Sequence, residues 1–134
     1  MPPAEGPKIR SKWSILIVDD EFGVRESLKI LLKSHYEICT AADGEEALKV
    51  VKERKIDLIT LDLNMPKLSG IETLREIRKI DAEVPVIIIT GYGTQKDEEE
   101  TRQYGVTDFI SKPFNTSQII SVIDRILEGR MENR

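Results

Sequence analysis

The run Ile15-Leu16-Ile17-Val18 stops on Asp19-Asp20-Glu21. An uninterrupted aliphatic run leaves no polar side for water, which is how a strand reads when both faces of its sheet are covered. Val86-Ile87-Ile88-Ile89 is a second run of this kind and stops on Thr90-Gly91. A third apolar run, Asp57–Leu61, is interrupted by Thr60 and is followed by Asp62-Leu63-Asn64-Met65-Pro66. Tyr36–Thr40 and Thr107–Ile110 are more polar. Between the runs lie helical stretches, over roughly 22–34, 44–54, 70–80, 95–104 and 116–128. Val24, Leu28, Leu31 and Leu32 share one helical face, and Ile71, Leu74, Ile77 and Ile80 another. Asp43 with Glu46, Ser69 with Glu72, and Asn115 with Gln118 have the spacing of helix-start capping pairs. Strands alternating with helices imply right-handed βαβ units and an α/β fold. The apolar runs belong inside the sheet and the polar ones at its edges. The expectation is a single doubly wound, five-stranded parallel sheet of order 2-1-3-4-5, with five helices on both faces. Its ligand crevice lies at the carboxyl ends of the first and third strands.

At 134 residues the chain is the size of one domain. The expected division is a tail over 1–12, a domain over 13–130 and a short tail over 131–134. A net charge of -4 argues against direct nucleic-acid binding. Cys39, the only cysteine, permits no intramolecular disulfide, and with the single His35 it cannot build a Cys/His zinc site. Both residues read as structural. Apolar runs fall far short of the ~20 residues of a membrane span, and the first residues have no apolar signal core. A cytoplasmic location is expected.

In a parallel sheet the carboxyl ends of the strands share one rim. Asp19, Asp20 and Asp62 meet there with the Thr90 hydroxyl and with Lys112 of Ser111-Lys112-Pro113-Phe114. Three carboxylates against one ammonium call for a proton or a cation. A hard divalent ion on oxygen ligands fits, Mg²⁺ above all, with Mn²⁺ a possible substitute. A carboxylate beside such an ion and a lysine can attack a phosphoryl group, giving an aspartyl phosphate. An Asp pair after a strand is by itself an ordinary turn, and Thr-Gly or Lys-Pro an ordinary loop. The four together, each on a strand end and in this order, carry the reading.

Over residues 14–128 the chain resembles the receiver domain of two-component response regulators, on Val18-Asp19-Asp20-Glu21, Asp62-Leu63-Asn64-Met65-Pro66 with Gly70, Thr90-Gly91 and Lys112-Pro113-Phe114. The resemblance implies a flavodoxin-like, chemotaxis-regulator-like fold and a phosphoacceptor signalling module that catalyses only its own phosphorylation and dephosphorylation. Asp62 would take the phosphoryl group from the phosphohistidine of a sensor histidine kinase or a phosphotransfer protein. Asp20 would bind Mg²⁺ directly, Asp19 through water, and Asn64 through its backbone carbonyl, beside Asp62 itself. Thr90 and Lys112 would contact the phosphoryl oxygens, Thr90 and Phe109 would form the switch, and the Lys112-Pro113 peptide would be cis. The fourth helix, fifth strand and fifth helix would form the output surface, with a phosphorylation-dependent homodimer as one use of it.

Some positions are particular to this chain. Asn64 and Tyr92 stand where they would tune dephosphorylation, Asn64 by orienting water and Tyr92 by shielding the site. The fourth helix, Gln95 to Tyr104, has almost no apolar face and reads as loosely packed and mobile, or as an acidic surface for a partner. In the fifth helix Ile120 and Val122 flank the core stripe and are either core or contact residues. A phosphatase of the haloacid-dehalogenase kind would need Asp-x-Asp where this chain has Asp19-Asp20-Glu21. A flavin module would need a phosphate cradle where Asp20-Glu21-Phe22-Gly23 is acidic. A receiver used only for contact would lack the acceptor or metal ligands. Thr90-Gly91-Tyr92-Gly93-Thr94 also resembles receivers of the nitrogen-regulator class, so the output is that of a stand-alone receiver or of a longer DNA-binding regulator.

Overall fold

The computed structural model describes residues 13–91 and 93–132. Their elements run β1 (Ser14–Val18), α1 (Phe22–Leu32), β2 (Glu37–Ala41), α2 (Gly44–Glu53), β3 (Leu58–Leu61), α3 (Gly70–Ile80), β4 (Val86–Thr90), α4 (Gln95–Arg102), β5 (Asp108–Ser111) and α5 (Thr116–Glu132). All strands are parallel, in the order β2-β1-β3-β4-β5. The expected doubly wound fold is the one formed. Residues 1–12 and 133–134, where tails were expected, lie outside the described residues. The C-terminal tail expected from 131 is helical through Glu132.

Alternation along the strands divides the core into two layers. Ile15 and Ile17 of β1, with Ile87 and Ile89 of β4, face Leu28 and Leu32 of α1 and Ile119, Ile123 and Leu127 of α5. Leu16, Val18 and Ile88 face the other way, against Ala47 of α2 and Leu74 and Ile77 of α3. The interior strands β3 and β4 are buried along their whole length, whereas β2 and β5 are partly exposed. Val122 is in the core at 7% exposure, so of the two α5 flanks only Ile120 is partly accessible.

The caps follow the spacing in the sequence. Asp43 accepts from the Glu46 N–H, Ser69 and Glu72 form a reciprocal capping box, and Asn115 accepts from the N–H groups of Ser117 and Gln118. A further box, Thr94 with Asp97, opens α4. β2 begins one residue later than its apolar run because the Tyr36 N–H still donates to Leu32 O of the preceding turn. The buried Tyr36 ring sends its hydroxyl to Asp124 of α5.

α4 buries only Thr101. Its exit is nevertheless held, because Arg78 of α3 donates to the carbonyls of Tyr104 at 2.6 Å, Gly105 at 3.3 Å, Val84 at 2.8 Å and Asp81 at 3.2 Å. Little buried apolar surface means a low local opening free energy. Backbone amides of α4 are therefore expected to exchange with deuterium well before those of α1. Protection in α4 equal to that in α1 would contradict this.

Candidate functional site

Three strand ends are carried one residue further by sheet hydrogen bonds. The N–H of Asp19 donates to Ala41 O, that of Asp62 to Val18 O, and that of Lys112 to Thr90 O. Each site side chain therefore starts from a Cα fixed by the register of its neighbour. Gly70, the first residue of α3, lies under the loop after β3, where a Cβ would come within 2.4 Å of Asp62 O and of Leu63 Cα.

Asp19 and Asp62 are 2% and 4% exposed, while Asp20 is open to solvent. One carboxylate oxygen from each lies within 4.8 Å of those of the other two. Lys112 Nζ donates to Asp19 Oδ2 at 2.8 Å, Glu21 Oε1 at 3.0 Å and Asp62 Oδ2 at 3.3 Å. Asp62 Oδ1 accepts from the Asn64 N–H at 3.2 Å, and Asn64 Nδ2 donates to Thr90 Oγ1 at 3.2 Å. Asp19 Oδ1 accepts from the Glu21 N–H at 2.9 Å, and Arg25 Nη1 donates to Asp19 O at 2.8 Å. A cleft of about 250 Å³, lined by Asp20, Glu21, Asp62, Asn64, Gly91 and Lys112, opens on the group. The Lys112-Pro113 peptide is cis. Phe109 stands half-buried on β5 opposite Ile88. Tyr92 lies outside the described residues.

Burial raises the Asp19 carboxyl above its ordinary range, and the neighbouring charge of Asp62 adds to this. The hydrogen bonds from Lys112 and the Glu21 N–H oppose it. For Lys112, burial works against the charged form, but hydrogen bonds to Asp19 and Glu21 and the charges of Asp19 and Asp62 outweigh it and raise its pKa. The rim thus carries Asp19, Asp20, Glu21 and Asp62 against one ammonium. Glu21 is the member whose part was not foreseen. Its carboxylate follows the Asp pair directly, but only the folded distance shows that it holds the lysine. Oxygen-only donors with excess negative charge are the chemistry of a hard divalent cation, and the donor set fits Mg²⁺.

The model of the response regulator receiver domain matches residues 15–124. The chain belongs to this family. It is 38% identical over 114 residues to chemotaxis protein CheY of Thermotoga maritima, covering 84% of this chain and 95% of that protein. A CheY-like response regulator receiver domain protein from Methanospirillum hungatei superposes with a TM-score of 0.89 at 27% identity, covering 92% of this chain and all of that one. NtrX from Brucella abortus superposes with a TM-score of 0.83 at 34% identity, covering 92% of this chain but 29% of the NtrX chain. The chain is thus a response regulator receiver domain of two-component systems. Among the described residues of this receiver, no helix is long and apolar enough to cross a membrane.

Proposed function

We propose that this receiver takes a phosphoryl group on Asp62 from the phosphohistidine of a sensor histidine kinase or phosphotransfer protein. The observation that carries the reading is the nearly buried Asp62 carboxylate, open to a cleft and 3.3 Å from the Lys112 ammonium, with Asp19 and Asp20 beside it. An Asp62 oxygen forms the new O–P bond as the P–N bond of the donor breaks, and the departing imidazole nitrogen keeps the electron pair and takes a proton. Lys112 and the Thr90 hydroxyl offset charge on the phosphoryl oxygens. Asp19, Asp20, Asp62 and the Asn64 carbonyl would hold Mg²⁺, which supplies charge neutralisation and orients the donor phosphate.

The Asn64 amide, which donates to Thr90 Oγ1, would influence the lifetime of the product. A recess of about 560 Å³ beside Lys112, lined by Val24, Pro113 and Phe114 among others, gives a protein donor an apolar footing. The new charge would draw Thr90 toward Asp62, free Phe109 to move, and alter the α4–β5–α5 surface for a protein partner or a second copy of the chain. This chemistry serves a stand-alone receiver and a longer regulator equally.

Intact mass after incubation with Mg²⁺ and acetyl phosphate tests the reading. The expected result is one added phosphoryl group, absent with a chelator and absent in Asp62→Ala. A wild-type protein that gains nothing would sink it and leave a receiver acting by contact alone.

A further inference from the structure

Thr90 faces two ways. Its hydroxyl accepts from Asn64 Nδ2 on the Asp62 side. Its methyl lies toward Gly93, where a Cβ would come within 2.9 Å of Thr90 Cγ2 and within 2.6 and 2.8 Å of Phe109 Cζ and Cε1. Carbon atoms in contact prefer about 3.5–4.0 Å, so a methyl group does not fit at that point. Backbone conformation is not what demands glycine here. Gly105 is the described glycine with positive φ, and Gly93 has a backbone that any residue can adopt. The requirement is space alone.

One of the two neighbours must give for a side chain to fit. Phe109 is fixed at its Cα by pairing with Ile88, and its ring is rigid, so relief requires the whole ring to swing about χ1. Rotating Thr90 instead would break its link to Asn64.

We infer that Gly93 is a positioning residue of the switch. By lacking a side chain it keeps open the seat in which the Phe109 ring tip lies by the Thr90 methyl, so that ring position follows the Thr90 rotamer. The trigger rests on the proposed phosphorylation of Asp62, while the seat is a property of the unmodified protein. A methyl at position 93 displaces the ring whatever the state of Asp62, and the two ends of the switch lose their connection.

The test uses the full chain with ring-¹³C phenylalanine. It contains Phe22, Phe109 and Phe114, and Phe109→Leu identifies the relevant signal. In wild type, Mg²⁺ and acetyl phosphate should shift the Phe109 signal. In Gly93→Ala that signal should already be displaced before the donor is added. The donor should then move it by less than about half the wild-type change, although mass shows the same phosphoryl gain. Gly23→Ala, whose added Cβ meets nothing within 4 Å, should leave the signal in place. A Phe109 signal at its wild-type position in unmodified Gly93→Ala would overturn the inference. So would a full wild-type shift in that variant, or a static Phe109 signal in phosphorylated wild type. A wild type that takes no phosphoryl group would sink the Asp62 reading only, and the unmodified proteins would still decide the seat.

Discussion

Replacing Lys112 by methionine should cost about 3 kcal/mol of folding stability in the presence of a chelator, a fall in Tm of about 10 °C. Methionine keeps much of the aliphatic stem and removes the ammonium. Asp19 and Asp62 would then sit with side chains 3% and 5% exposed and without their shared cation. The loss should depend on pH in a definite direction. The Asp19 carboxyl is already raised by burial, and without Lys112 it loses an opposing hydrogen bond and charge, so it rises further. A carboxyl raised on folding binds more protons folded than unfolded, so stability falls as pH rises through its folded value. The deficit should be greatest at neutral pH and smallest near about pH 4, where unfolded aspartates also hold protons. Mg²⁺ should restore much of it, since an ion at a hundredfold excess over its Kd adds about 2.7 kcal/mol, and here no ammonium competes. Thermal melts across pH, with chelator and with Mg²⁺, measure all three. Unchanged melting in chelator would mean that the lysine does not hold the carboxylates in solution.

Gly70→Ala should be comparably damaging for a different reason. Its Cβ would meet Asp62 O and Leu63 Cα at 2.4 Å and Asp62 C at 3.0 Å, all backbone atoms that no rotamer can move. The helix start cannot retreat either, because Ser69 and Glu72 cap it and the Gly70 N–H donates to Leu63 O at 3.0 Å. Overpacking of this kind costs about 3 kcal/mol, and it displaces the backbone that aims Asp62. Both a lower Tm and slower phosphoryl uptake from acetyl phosphate are expected. A variant as stable and as reactive as wild type would mean that α3 and the loop after Asp62 separate without cost.

The sheet was legible because burial on both faces leaves a plain mark. Ile15–Val18 and Val86–Ile89 offer no polar side, so they had to lie inside, and Glu37 and Asp108 mark the edges. The meeting of Asp19, Asp62 and Lys112 follows from the same logic, since parallel strands bring their carboxyl ends to one rim. Contacts that depend on distance rather than period left no such trace. Glu21 reaching Lys112, Arg78 gathering carbonyls from the β4 and β5 approaches, and Phe109 against Gly93 each join residues whose spacing has no repeat. Thr94 with Asp97 forms a box that only the fold reveals, since aspartate is the shorter and less usual partner at that spacing. The end of α4 at Arg102 depends on the turn through Gly105, whose φ is 74.

The Arg78 clamp gives the α4 surface a mechanical character. A helix of eight residues is about 12 Å long at 1.5 Å per residue. With its exit tied to α3 by the guanidinium and little buried beneath it, α4 is a lever with its pivot at Tyr104 and Gly105. A tilt of about 10° leaves the pivot in place and carries the Thr94 end through about 2 Å over that length. In the proposed switch, motion beside Thr90 would enter at the long end of this lever. A partner reading the state of the site would then gain most by gripping the first turn of α4, and little by gripping the last.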